Sequence, residues 1–398
     1  DWSSDVCSSD LGRGTFTPGI DKAAKFIENE FKQIGLKPLN GDNDFRQDFI
    51  VKRIKAGEIS ATINGKLVDQ QSVLAISDLP SLKFNNTSGK TILRIAAGEQ
   101  FIQRYREISA MKTEVLVLVD NQHAAIFKRL KDNSSRGRIV EKAKDSGAAV
   151  FVLGETDASS YSVSASNIIE ELPLFNVAGM LPGKSKEKEL VLISAHYDHL
   201  GIVKSVDGDS IANGADDDAS GTTAVISLAK YYKKLNNNER TLIFVAFTAE
   251  EVGGFGARHF SSLLNPDDVV AMFNIEMIGK ESKFGKNAAF ITGYERSDFG
   301  EILQKNLEGT DFKFHPDPYP TQNLFYRSDN ATLAALGVPA HTISTDEIDI
   351  DKFYHTVNDE FETLAVSNIW ATIKAIALSA RSIIAGTDTP KRIPKLNQ

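Results

Sequence analysis

Cysteine is nearly absent from this 398-residue chain, which carries only Cys7. One cysteine forms no internal disulfide and supplies no thiolate metal cage, so both are excluded. Long apolar runs are missing too; none approaches the ~20 residues a helix needs to cross a bilayer. Basic charge is in deficit, since 45 Lys and Arg face 53 Asp and Glu for a formal net charge of −8. That balance argues against a general nucleic-acid binder. The rest of the composition is ordinary for globular domains, 41% hydrophobic and 25% charged, and the length fits two or three domains of roughly 150 residues.

Residues 1–11, "DWSSDVCSSDL", have neither an amphipathic period nor a signal-peptide apolar core. They read codon by codon as a translated sequencing-library adapter, and we expect a non-native leader there. Cys7 then does not belong to the natural protein, whose own N-terminus is expected to be missing, and no leader remains from which to judge location.

Residues 24–34 place Ala24, Phe26, Ile27, Phe31 and Ile34 on one helical stripe, closed by Gly35 and Pro38. From 46 to 170 the text turns to strand-like runs such as "EISATING", "KTILRIAAG" and "TEVLVLVD". A helical "RGRIVEKAKDSG" and the run "AAVFVLGE" follow. This predicts an inserted β-rich domain with one or two helices. From 171 onward the runs "ELVLISAHYDH", "RTLIFVAFTAEE", "VVAMFNIEM" and "VPAHTISTD" are too continuous for one-sided strands, and fit a sheet covered on both faces. Helices are expected at 219–235, 255–264, 298–307, 330–336 and 361–385. The fold class is thus α/β: a mixed, largely parallel sheet with helices on both faces, built from 12–45 plus 171–398, with 46–170 inserted.

Three of these runs end in metal-binding residue types: His196, the pair Glu250–Glu251, and Glu276. In open α/β sheets sites form outside the carboxyl ends of the strands, so the three should converge. "NGADDDASG" adds Asp216, Asp217 and Asp218, and "FYHTVND" adds His355. Nitrogen and oxygen donors without thiolate suit zinc, cobalt or manganese, and the surplus of acid suits two ions. In "SAHYDHLG" the i, i+2 alternation of a strand puts Asp198 beside His196, able to accept its second ring N–H. The same alternation turns His199 away, toward a structural role. Adjacent carboxylates at Glu250 and Glu251 cannot both stay ionised without a cation between them. One is expected to bind metal and the other to carry a proton, unless the pair simply caps a helix N-terminus. His123, His259, His315 and His341 lack ligand-like neighbours and are expected to be structural.

"SAHYDHLG", "NGADDDASG", "TAEEVGGFGARHF", "FNIEMIG", "YRSDNATLAALGVPA" and "YHTVND" occur in the order typical of the M28 zinc peptidases, and the chain resembles that family over roughly 171–385. "GRIVEKAKDSGAAVFVLGE" resembles, more weakly, a protease-associated domain. The resemblance implies two zinc ions, held by His196 with Glu251 and by His355 with Glu276, and bridged by Asp217 before a cis peptide. It implies Glu250 as general base and Tyr354 as oxyanion donor, with Tyr326 in reserve. Tyr326, Arg327 and Asp329 of "YRSDN" fall on the substrate side. Two positions depart from the pattern: Glu276 stands where Asp is common, and Asn330 where His is frequent. The implied activity is aminopeptidase action on peptides by an enzyme that is secreted or periplasmic. Three rivals share the motifs: a dizinc carboxypeptidase or dipeptidase, whose substrate carboxylate has only Arg327 as an obvious partner; a single-zinc glutaminyl cyclase; and a non-catalytic receptor-like relative.

Overall fold

The computed structural model describes residues 11–41 and 44–396. Cys7 and the expected leader, apart from Leu11, lie outside the described residues. The chain forms two compact units, one running to Phe49 and resuming at Leu174, the other Ile50–Pro173.

In the first unit, helix α1 (Pro18–Ile34) opens on Pro18 in its first turn and ends at Gly35, whose φ of 77° is left-handed. Proline at a helix start and glycine past its end follow from their backbone chemistry. Ile20, Ala23, Ala24, Ile27 and Phe31 are buried along its inner face, while Phe26 and Ile34 only flank the core. The sheet contains β1 (Tyr161–Leu181, its last residues only), β2 (Lys186–His196), β3 (Arg240–Phe247), β4 (Val269–Ile275), β5 (Ala288–Ile291), β6 (Lys313–Pro316) and β7 (Ala340–Ser344). Their order is β6-β5-β7-β4-β2-β3-β1. The four central strands β7, β4, β2 and β3 are parallel; β1 runs antiparallel to β3, and β5 to β7.

Alternate residues of the central strands feed two cores, which explains their unbroken apolar runs. Val191, Ile193, Phe244, Ala246 and Phe273 pack with α1, α2 (Gly221–Leu235), α4 (Phe299–Asn306) and α6 (Val366–Ser379). Leu192, Ile243, Val245 and Met272 pack with α3 (Phe255–Ser262) and α5 (Asn330–Ala335). The expected single helix over 361–385 is instead a short turn at Phe361–Thr363, then α6, then Arg381–Ile384. Extended backbone at Leu364 keeps the first turn from joining α6. No helix of the described residues is long and apolar enough to cross a membrane.

The second unit holds a four-stranded sheet in the order Val73–Ser77, Ala148–Leu153, Glu114–Val119, Thr91–Ile95. Its helices are Phe101–Ser109 and Ala124–Ser135. The stretch expected to be helical, 136–147, is not. Gly137 at φ 81° breaks from the preceding helix, and Arg138–Val140 pairs antiparallel with residues 52–54.

The four histidines set aside as structural are all placed in packing roles. His259 stacks on Phe49, His315 on Phe284, and His123 bonds the Ala96 carbonyl. His341 is fully buried on β7, stacked on Phe299. Its Nδ1 faces the Thr292 carbonyl at 2.8 Å, so Nδ1 must donate, leaving Nε2 to accept from the Ser297 hydroxyl. Burial, only partly opposed by the Thr292 carbonyl, lowers its pKa to about 4. An imidazole whose pKa falls on folding stabilises the fold above its unfolded value near 6.5, and that contribution is lost as pH falls toward 4. Between pH 7 and 5 His341 should cost the fold about 2 kcal/mol. Denaturant unfolding of the wild type and of His341→Gln at both pH values checks this: the loss should be smaller in the variant by that amount.

Candidate metal centre

Each acid and histidine of interest leaves a strand end or the loop beside it. His196 is the last residue of β2, Glu276 follows β4 directly, and Glu250 and Glu251 lie on the turn after β3. Asp217 lies on the turn Ala215–Ser220 that leads into α2, and His355 on the loop between β7 and α6. Parallel strands in register bring the three strand-borne groups to one edge, as the sheet rule requires.

At the centre is Asp217, 2% exposed, with its two oxygens facing different partners. His196 Nε2 is 3.2 Å from Oδ1, and His355 Nε2 is 3.3 Å from Oδ2. His355 Nε2 is also 3.1 Å from Glu251 Oε2. The structure therefore sets Glu251 against His355. The sequence resemblance implied Glu251 with His196 instead. The reason is local: Glu251 also meets His199, whose Nδ1 is 2.8 Å from its Oε1.

His199 is the clearest correction to the sequence reading. Strand alternation was expected to point it away, but β2 stops at His196 and the rule stops with it. His199, Asp217 and Glu251 can place one ligand atom each within 4.8 Å of one another. Gly214 makes room for this ring: its φ is 57°, and a Cβ there would lie 2.5 Å from His199 Cγ.

Asp198 also departs from expectation. His196 Nδ1 bonds the Asp198 main-chain oxygen at 3.0 Å, while the carboxylate stays 3.8 Å away. That carboxylate instead accepts from Thr15 Oγ1 (2.7 Å) and from the backbone N–H groups of Glu250 (3.0 Å) and Glu251 (3.4 Å). Asp198 thus fixes the turn that presents the glutamate pair, and its backbone fixes the His196 ring.

The other two aspartates of the triplet tie backbone rather than face the centre. Asp218 accepts from the N–H groups of His196 (3.3 Å), Gly221 (3.0 Å) and Met277 (3.0 Å), joining β2, α2 and the end of β4. Asp216 accepts from the Gly279 N–H at 2.6 Å and from Ser220 Oγ at 3.2 Å. The Asp217–Asp218 peptide is cis. Two residues that sequence reasoning passed over complete the loop. Asp359, only four residues after His355, accepts from the N–H groups of Asp216 and Asp217 at 3.0 Å each. Arg13, 2% exposed, donates to the carbonyls of Tyr197 (2.9 Å), Asn213 (2.5 Å) and Gly214 (2.9 Å), and more weakly to that of Asp217 (3.5 Å). Asp359 lay within a quoted motif; nothing in the sequence marks Arg13.

Electrostatics separate the glutamate pair. Burial, with Glu276, Asp329 and Glu251 adding to it against the pull of His196, raises the Glu250 pKa well above the carboxylate range. Burial works on Glu251 too, but hydrogen bonds with His199 and His355 outweigh it and hold its pKa down.

A cleft opens on this edge, lined by Asp217, Glu250, Glu276, Tyr354, His355 and Arg327 among others. Tyr354 stacks on His355, centroids 3.9 Å apart. Two residues expected at the substrate do not line the cleft. Tyr326 packs edge-on against Phe325, centroids 4.7 Å apart, because its 3-10 turn faces the core. Asp329 is buried, with neither oxygen hydrogen-bonded among the described residues. Asn330 is buried as well, donating to the Phe325 and Ala340 carbonyls, which ties α5 to β7. The donor set fits a metal centre on its own terms: His196 Nε2 and Glu276 Oε2 are buried N and O atoms without hydrogen-bond partners among the described residues.

A family model described as "Peptidase family M28" matches residues 176–380, slightly more than half of the chain. The chain belongs to peptidase family M28. Aminopeptidase YwaD of Bacillus subtilis is 22% identical over 237 residues, 55% of this chain and 47% of that protein. A vacuolar membrane protease of Schizosaccharomyces pombe is 36% identical over 108 residues, 27% of this chain and 12% of its own length. The chain thus spans half or less of these relatives. Among solved structures, a zinc aminopeptidase from Bacillus subtilis superposes at TM-score 0.56 with 15% identity, covering 97% of this chain and 94% of that one. An aminopeptidase from Aneurinibacillus sp. strain AM-1 gives 0.54 at 18% identity, covering 99% and 94%. The M28 fold is shared on that evidence.

In this M28 chain Arg13 should matter more than its position suggests. Arg13→Met leaves three buried carbonyls without their donor, and should lower stability by about 3 kcal/mol or more. Urea unfolding checks this; an unchanged midpoint would show that the aspartate loop holds without the clamp.

Proposed function

We propose that this protein is a two-zinc metallo-exopeptidase, most simply an aminopeptidase that releases N-terminal residues from peptides. The observation that carries the reading is Asp217, one buried carboxylate whose oxygens face two separate donor groups. That is the arrangement of a ligand shared by two cations. His196, Asp217 and Glu276 would hold one ion; Asp217, Glu251 and His355 would hold the other, with His199 beside them. Bound zinc supplies Lewis acidity toward a peptide carbonyl and a water of lowered pKa.

The chain's own groups do the rest. Glu250 lines the cleft, and its raised pKa suits a group that takes a proton from the attacking water and returns it to the leaving amine nitrogen. Tyr354 offers its phenol O–H to the oxyanion that develops on the scissile carbonyl; burial and the acids around it hold that proton on. Asp198 keeps both the glutamate turn and the His196 ring in place. Surplus carboxylate at the donor end suits the free α-amine of a peptide. A carboxypeptidase needs cations there instead, and among the described residues Arg327 is the only Lys or Arg lining the cleft. A glutaminyl cyclase or a receptor-like protein would not need both a complete shared-ligand set and Glu250.

Glu250→Gln should cut kcat roughly a hundred- to ten-thousandfold while the protein still binds two zinc ions, read by elemental analysis. Near-normal turnover would remove Glu250 from the chemistry. Asp217→Ala should lose more zinc than Asp216→Ala; the opposite order would mean that Asp217 is not the shared ligand. Cleavage of free-amine substrates but not of N-blocked peptides supports the aminopeptidase, and cleavage of blocked peptides overturns it.

A further inference from the structure

His199 is 1% exposed, and its two ring nitrogens have unlike surroundings. Nε2 is buried with no hydrogen-bond partner among the described residues. Nδ1 lies 2.8 Å from Glu251 Oε1 and 3.7 Å from Asp217 Oδ2. His355 Nε2 meets the same two carboxylates, 3.1 Å from Glu251 Oε2 and 3.3 Å from Asp217 Oδ2. A nitrogen lone pair repels a carboxylate oxygen at such distances, so a proton or a cation must lie between them. The four separations bracket the ~3.3 Å edge of a tetrahedron whose zinc–ligand bonds are ~2.0 Å. Gly214 packs so closely on the His199 ring that a Cβ there would meet Cγ at 2.5 Å and Cδ2 at 2.6 Å. That packing helps to keep Nδ1 at the two acids.

We propose that His199, through Nδ1, is a fourth protein ligand of the ion assigned above to Asp217, Glu251 and His355. This rests on the two-zinc reading. Nε2 has no partner in either tautomer, so the site of the ring proton is decided at Nδ1. A cation among the carboxylates displaces the proton there. The two donor sets then differ in kind. Four protein ligands close the set that contains His355, whereas His196, Asp217 and Glu276 leave a fourth position open. Closed sets are those of structural zinc, and open sets those of catalytic zinc. One ion is held tightly and shapes the centre; the other keeps a position for substrate.

The test loads the full chain with zinc and, separately, with cobalt(II). Asparagine carries an amide N–H close to where histidine carries Nδ1–H. His199→Asn therefore keeps a donor for Glu251 and removes the imidazole ligand. Loss of an outer hydrogen-bond partner costs a metal site about 10–100-fold in affinity. In chelator competition, the more tightly held zinc of the wild type should weaken by roughly a hundredfold or more in His199→Asn. NMR of the cobalt-loaded wild type should show three metal-shifted, solvent-exchangeable imidazole N–H signals, and that of the variant two. Two such signals in wild-type protein with both sites filled overturn the proposal and leave the two-metal reading standing. A folded variant that loses less than a hundredfold reduces His199 to a hydrogen-bond donor and overturns the proposal too. If the variant does not fold, the wild-type signal count decides alone. Fewer than two zinc ions per wild-type chain would bring down the two-zinc reading itself, and this proposal with it.

Discussion

Burying carboxylates is the constraint around which this site is built. Asp198, Asp216, Asp217, Asp218, Glu250, Glu276 and Asp329 converge where the parallel strands end, most of them without access to water. An acid in that position must be given hydrogen bonds, a proton or a cation. The acids divide accordingly. Asp198, Asp216 and Asp218 receive backbone N–H groups and become cross-links. Burial raises the Glu250 pKa well above its usual value. Asp217 and Glu251 meet imidazoles.

The cross-linking acids explain how a site assembled from distant segments can be held to the tolerances that catalysis needs. Asp218 alone gathers the ends of β2 and β4 and the start of α2. Gly221 permits this, since a Cβ there would lie 2.5 Å from the Asp218 carboxylate and 2.3 Å from the Ile275 carbonyl. Arg13 performs the matching task for carbonyls. Donors and acceptors of an irregular loop are thereby satisfied without water, which is what permits the loop to be buried at all.

Much of this was legible in the chain, and what was not has definite physical causes. The four parallel strands announced themselves because residues packed on both faces are apolar without interruption. The acids and histidines at their ends followed from the sheet rule. His199 was misplaced because period-two alternation applies only while the strand lasts. Asp198 was assigned the right neighbour but the wrong atom, since spacing does not distinguish a carboxylate from a carbonyl two residues on. Tyr326 and Asp329 were drawn to the substrate side by the resemblance of "YRSDN", yet Tyr326 ends a 3-10 turn that packs on the core and Asp329 is buried. Arg13 left no trace because a lone arginine between glycines carries no period and no partner in sequence; only folding brings its four carbonyls together.

Glu276 is held by a network that runs through three strands. Its carboxyl stands one methylene farther from the backbone than the aspartate common at that place, so the shell behind it must settle a longer side chain. Ser194 donates to Asn274, whose amide donates to Ser328 Oγ at 2.7 Å and to Thr342 Oγ1 at 3.1 Å. Ser328 in turn bonds Glu276. The chain of contacts crosses β2, β4 and β7 beneath the site, so the position of the longer carboxylate is set by three strands at once. Its second oxygen is buried without a hydrogen-bond partner among the described residues. The longer carboxylate is thus held from within the sheet.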